Sequence, residues 1–143
     1  MERIHIVTDS GSDLPEKVRE ELGIHVVPLS IQFGDDIYRD GEDLSVTEFY
    51  TRLEGDVLPS TCQPSPADFE RKNREIAEPG DTIISVHLSS RLSGTYQSAV
   101  IASNMVAEEG IKVVTVDTKS ASIGIGLVAV AAAQAVKEGL SLE

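Results

Sequence analysis

A chain of 143 residues with 41% hydrophobic side chains is long enough for one domain with its own core, which excludes a disordered chain. A formal net charge of -12 excludes nucleic acid and anionic lipid surfaces as partners held by charge, because both select a basic face. The single cysteine, Cys62, excludes an intramolecular disulfide and points to a reducing cytoplasm.

In chain order, the amino terminus runs into a strand at Ile4–Val7, with no signal-peptide core ahead of it. Asp13-Leu14-Pro15-Glu16 predicts a helix start, with Asp13 as cap and proline in the first turn. After the helix stop Gly23, His25–Phe33 predicts one long strand. Residues 34–41 predict a turn, a short strand and a second turn, extending a sheet edge. The carboxylates there (Asp35, Asp36, Asp40, Glu42, Asp43) lack calcium-loop spacing and read as a solvated loop. Ser45-Val46-Thr47-Glu48 and Ser65-Pro66-Ala67-Asp68 are capping-box patterns that start two further helices. Thr82–His87 and Lys112–Val116 predict buried parallel strands. No apolar run reaches the ~20 residues that a bilayer requires, so no stable membrane insertion is expected. The longest run, residues 123–136, contains Gln134 and predicts a buried helix. Strands alternating with capped helices predict an α/β domain over residues 1–143, a mostly parallel sheet with helices on both faces.

Three polar loops follow. Thr8-Asp9-Ser10-Gly11-Ser12-Asp13 leaves the first strand at the end where open parallel sheets bind ligands, and it also reads as a plain polar turn. Pro59-Ser60-Thr61-Cys62-Gln63-Pro64-Ser65-Pro66 sets hydroxyls beside a helix start, as an anion site does, or is a proline-stiffened connection. Nothing near Cys62 would lower its pKa, so it reads as a small buried filler. In Leu88-Ser89-Ser90-Arg91-Leu92-Ser93-Gly94-Thr95-Tyr96-Gln97-Ser98-Ala99, Gly94 permits close approach of a ligand, and Ser93 can cap the helix or face that ligand. This is neither a Walker loop nor a nucleophile elbow. His5, His25 and His87 read as structural, and no pair has metal-ligand spacing. Gly124-Ile125-Gly126-Leu127-Val128-Ala129 formally matches a dinucleotide fingerprint. It lies well past the strand and no ribose-binding acid follows, so no cofactor is expected. The helix it opens is apolar nearly all round and needs cover from a partner domain or a lipid-like ligand.

Taken in order, Thr8-Asp9-Ser10, Thr61-Cys62-Gln63-Pro64-Ser65-Pro66, the Leu88–Ala99 stretch and Val116-Asp117 with Ser120 resemble the DegV family across essentially the whole chain. The resemblance implies a fatty-acid-binding carrier of two domains, of which this chain would be the N-terminal one, the C-terminal one being absent. It implies a long-chain fatty acid whose carboxylate is hydrogen-bonded by Thr61 and Ser93, with Asp9, Ser10, Cys62, Gly94 and Thr95 as supporting loop residues. In some members a separate fatty-acid kinase phosphorylates the bound carboxylate. The chain departs from the family at Cys62, where serine is usual, and at Gly11, where threonine is common. The enzyme alternatives are a hydrolase built on Ser93, which lacks a well-placed histidine, and a phosphotransferase using Asp9, which lacks a nucleotide loop.

Overall fold

A computed structural model describes residues 2–142. Strands β1 (Ile4–Asp9), β2 (Ile24–Val27), β6 (Thr82–His87) and β7 (Lys112–Asp117) form a parallel sheet in the order β2-β1-β6-β7. Alternate residues of these strands point to opposite faces, and each face is covered by helices. Val7, Val27 and Ile83 pack with Phe69 of α3 (Pro66–Ile76) and with Ala99, Ala102 and Val106 of α4 (Thr95–Ala107). Ile6, Ile24 and Val86 pack on the other face with Ile125, Ala129 and Ala133 of α5 (Ile123–Lys137), while Leu22 of α1 (Glu16–Leu22) closes that side. The expected parallel sheet with helices on both faces is therefore present.

The stretch His25–Phe33 is not one strand. It breaks at Pro28, which has no N–H to offer a ladder, and Leu29 turns aside to donate its N–H to Ser10 Oγ at 2.9 Å. The chain then enters a second, antiparallel sheet ordered β4-β3-β5, made of β3 (Ser30–Phe33), β4 (Asp36–Arg39) and β5 (Ser60–Cys62). The short strand expected in residues 34–41 is the β4 edge of this small sheet. Phe49 of α2 (Val46–Leu53) packs with Ile31, Phe33 and Leu44 over it.

Both predicted capping boxes form, at Ser45/Glu48 and at Ser65/Asp68, the second with Pro66 in the first turn. The cap expected at Asp13 does not form. Asp13 sits in the left-handed region at φ 52°, ending a short 3-10 turn over Ser10–Ser12, and α1 starts after Pro15 without a side-chain cap. The Asp13 carboxylate instead accepts a hydrogen bond from Ser122 Oγ at 2.6 Å, 109 residues away.

At the opposite end of the sheet, Asp81 accepts the N–H groups of Arg3 and Glu78 at 3.1 Å each and lies 3.1 Å from His5 Nε2. The Glu78 N–H and the His5 ring are the chief causes that hold its carboxyl far below the ordinary carboxylate range, with Arg3 adding to them. A depressed folded-state pKa contributes stability above the unfolded value and loses it as pH falls toward the folded value. Melting temperature should therefore drop steadily below about pH 4, and Asp81→Asn should flatten that drop. An equal acid slope in both proteins, measured by thermal melts from pH 2 to 6, would contradict this.

Candidate functional site

The chain leaves β1 toward α1 on one face of the sheet and leaves β6 toward α4 on the other. Neighbouring strands whose loops part in this way open a crevice at their carboxyl ends, where open α/β sheets bind ligands. The loops around that crevice are bonded to one another. Leu88 N donates to Asp9 Oδ2 at 3.2 Å, Ser89 N to the Ser120 carbonyl at 2.9 Å, and Ser90 Oγ to Asp117 Oδ2 at 2.5 Å. The Ser90 hydroxyl is also the main reason that Asp117 stays below the usual carboxylate range.

Ser93 is half-buried at the end of the β6–α4 loop. Its oxygen accepts the Thr95 N–H at 3.2 Å and lies 2.9 Å from Thr95 Oγ1. Thr95 is fully buried and bonded to Ser93, which it orients from below. When the Thr95 hydroxyl donates to Ser93, the Ser93 proton is left for an incoming acceptor. Gly94 is in contact with the β5 loop: a Cβ placed there would stand 2.7 Å from Gln63 Nε2. Gln63 thus lays the loop that follows Thr61 against the loop that carries Ser93. Thr61 itself is exposed on β5, paired with Ile31. In the sequence, the only signal for this contact is the place of Gln63 in the Thr61–Pro66 run.

The remaining expected residues divide by burial. Asp9 is fully buried: Oδ1 accepts from Gly11 N at 2.9 Å, and Oδ2 lies 2.9 Å from His87 Nδ1 and accepts from Leu88 N. It is a tie beneath the loops. Ser10 is taken up by Leu29 N and by Asp40, whose carboxyl burial pushes up while the Ser10 hydrogen bond pulls it back. Cys62 is exposed, which corrects the expectation of a buried filler. All three residues of β5 are exposed, so the short edge strand has no core side on which to hide a thiol.

A cavity of about 620 Å³ opens beside this region, lined in part by Ser10, Asp13, Arg19, Asp40, Ser45 and Tyr50. Neither Thr61 nor Ser93 lines it. Among the described residues, no three His, Cys, Asp or Glu side chains are grouped to hold a metal ion. No helix is long and apolar enough to cross a membrane, again among the described residues. The helix α5, expected to be covered on every side, is buried at Ile125, Ala129 and Ala133, yet leaves Ile123, Leu127 and Val128 exposed.

A profile of the DegV family matches residues 3–143. A DegV domain-containing protein of Listeria monocytogenes is 43% identical over 135 residues, 93% of this chain and 47% of that protein. Among solved structures, a DegV family protein from Thermus thermophilus, described for its fatty acid binding, is 43% identical with a TM-score of 0.87, over 98% of this chain and 49% of that one. DegV of Bacillus subtilis, a fatty acid binding protein, is 34% identical with a TM-score of 0.91, over 97% and 49%. The chain spans about half the length of the curated relatives it matches.

Proposed function

The chain belongs to the DegV family, and we propose that it binds a long-chain fatty acid by its carboxylate, as a carrier that presents the acid to a separate kinase. The observation that carries this reading is the pairing of two hydroxyl-bearing loops at the crevice: Ser93 set by buried Thr95, and Thr61 on β5, joined where Gln63 packs on Gly94. Side-chain hydroxyls suit an anion in a chain of net charge -12, because they donate to it without needing a cation. The likeness to two fatty-acid-binding DegV structures at 43% and 34% identity supports the same ligand class.

Hydroxyls alone bind weakly, so affinity has to come from burying the acyl tail. The bare apolar side of α5 supports an acyl-chain envelope that is completed by the part of DegV proteins beyond this chain's span. A site that holds the carboxylate by neutral side chains leaves its oxygens as nucleophiles toward a phosphoryl donor, which favours presentation to a kinase. The hydrolase reading has less support. Ser93 is bonded to Thr95, whereas His87 is engaged with Ser85 and Asp9. The lone exposed thiol suits a reducing compartment, in keeping with a cytoplasmic carrier.

The test is palmitate titration of the wild-type chain and a Thr61→Val/Ser93→Ala variant. The double variant should bind at least about a hundredfold more weakly, the effect of two hydrogen bonds to a charged acceptor. Equal affinities would remove these hydroxyls from the site, and mass spectrometry of solvent-extracted protein lacking any fatty acid would count against the ligand class.

A further inference from the structure

Beneath the Ser93 loop runs a hydrogen-bond chain that the proposed binding does not touch directly. His87 closes β6 with its ring fully buried, Phe69 standing edge-on to it at 4.9 Å. Its Nδ1 lies 2.9 Å from Asp9 Oδ2 and its Nε2 lies 2.5 Å from Ser85 Oγ. The order matches that of a serine-hydrolase triad, but Ser85 is 1% exposed and no acyl group can reach it. Ser85 is therefore not placed to act as a triad nucleophile.

The other bonds of this hydrogen-bond chain suggest a different role. The Asp9 carboxylate also accepts from Leu88 N, the first residue of the loop leading to Ser93, and from Gly11 N in the β1 loop. Both loops that border the crevice hang on one buried carboxylate. An ionised Asp9 accepts only, so it places the His87 proton on Nδ1; Nε2 is then an acceptor and the Ser85 hydroxyl donates to it. In that arrangement Asp9, His87 and the Ser85 hydroxyl each have a hydrogen-bond partner within the triad.

We infer that Asp9, His87 and Ser85 are positioning residues, which hold the Leu88–Gly94 loop in the posture that presents Ser93 to its ligand. The identity of that ligand rests on the fatty-acid reading above; the holding of the loop does not. The experiment compares the wild-type chain, Asp9→Asn and Ser85→Ala by imidazole 15N NMR, by amide hydrogen exchange and by palmitate titration. In the wild type the His87 proton should sit on Nδ1. In Asp9→Asn one oxygen is left for the three N–H groups of Gly11, His87 and Leu88, and the amides of residues 88–94 should exchange about tenfold faster while those of α3 and α4 keep their rates, as expected for local opening. Palmitate affinity should fall by about threefold to tenfold, the scale of one misplaced hydrogen bond. Should Asp9→Asn fail to fold, Ser85→Ala carries the test, with the His87 proton still held on Nδ1 by Asp9 but Nε2 left without its donor, and loop exchange about threefold faster. Loop exchange at the wild-type rate, or acceleration spread evenly over the sheet, would overturn the positioning role. A wild-type chain that binds no palmitate would instead overturn the fatty-acid reading, and the exchange and NMR results would still decide this one.

Discussion

Extending this chain to the full length of its Thermus thermophilus relative is expected to tighten palmitate binding by at least about a thousandfold, more than either proposed carboxylate-binding hydroxyl contributes. Each buried methylene contributes about 0.8 kcal/mol, so enclosing a further half of the tail, about seven methylenes, adds about 5–6 kcal/mol gross. Part of that gain is lost in ordering the tail and the covering side chains, which is why about a thousandfold, and not the gross figure, is the lower bound expected. Losing one hydroxyl removes about 1 kcal/mol for a neutral bond and about 1.5–3 kcal/mol for a charged acceptor. Ile123, Leu127 and Val128 of α5 and Thr61 are exposed in this chain, and they are the side chains that further sequence would cover on the proposed reading. Calorimetric titration with palmitate of the two lengths, beside Ser93→Ala in each, ranks the two effects. Equal affinities of the short and long forms would refute the claim that tail burial dominates.

Gly126→Ala should lower the melting temperature by about 4–8 °C, corresponding to a net loss of about 1–2 kcal/mol. A Cβ at Gly126 would stand 2.9 Å from the Ser12 backbone oxygen and 2.8 Å from Leu14 Cδ2. The backbone oxygen cannot rotate away, so α5 would have to lift from the β1–α1 loop. Alanine's better helix propensity gives back about 1 kcal/mol, and overpacking outweighs it at about 2–3 kcal/mol, the upper part of the usual range, because the obstacle is backbone. At Gly124 the neighbour is the Ser120 hydroxyl, again too near for a methyl group. These glycines, which formally match a dinucleotide fingerprint, serve close packing of a helix on a loop. Leu127→Ala on the same helix is the control: Leu127 is 64% exposed, and its loss should change stability by no more than about 0.5 kcal/mol. A Gly126→Ala protein that melts with the wild type would refute the packing account.

The elements that could be read from the chain are those whose causes lie within a few residues. The Ser45/Glu48 and Ser65/Asp68 boxes close over three positions, and the apolar runs at β1 and β6 are buried as expected, whereas β7, read as buried, is an edge strand that leaves Lys112 and Val114 exposed. The same locality misled at Asp13. Its spacing to Glu16 satisfies the capping rule, but the partner it takes is Ser122, which no local pattern shows. Residues 25–33 look continuous because hydropathy does not register that Pro28 ends one ladder or that the next strand belongs to another sheet. Thr61 and Ser93 were legible only through the ordered resemblance, since a hydroxyl in a polar loop is common.

By itself, then, the sequence determined the parallel α/β core, two of its helix starts and the polar loops at the strand ends, because periodicity and capping act over short stretches of chain. Only the tertiary structure decided that Asp9 and His87, 78 residues apart, share a buried bond, that Gln63 rests on Gly94, and that Cys62 lies in the open. Those outcomes depend on which strands become neighbours and in what register, and strand order is settled by the packing of the whole sheet against its helices.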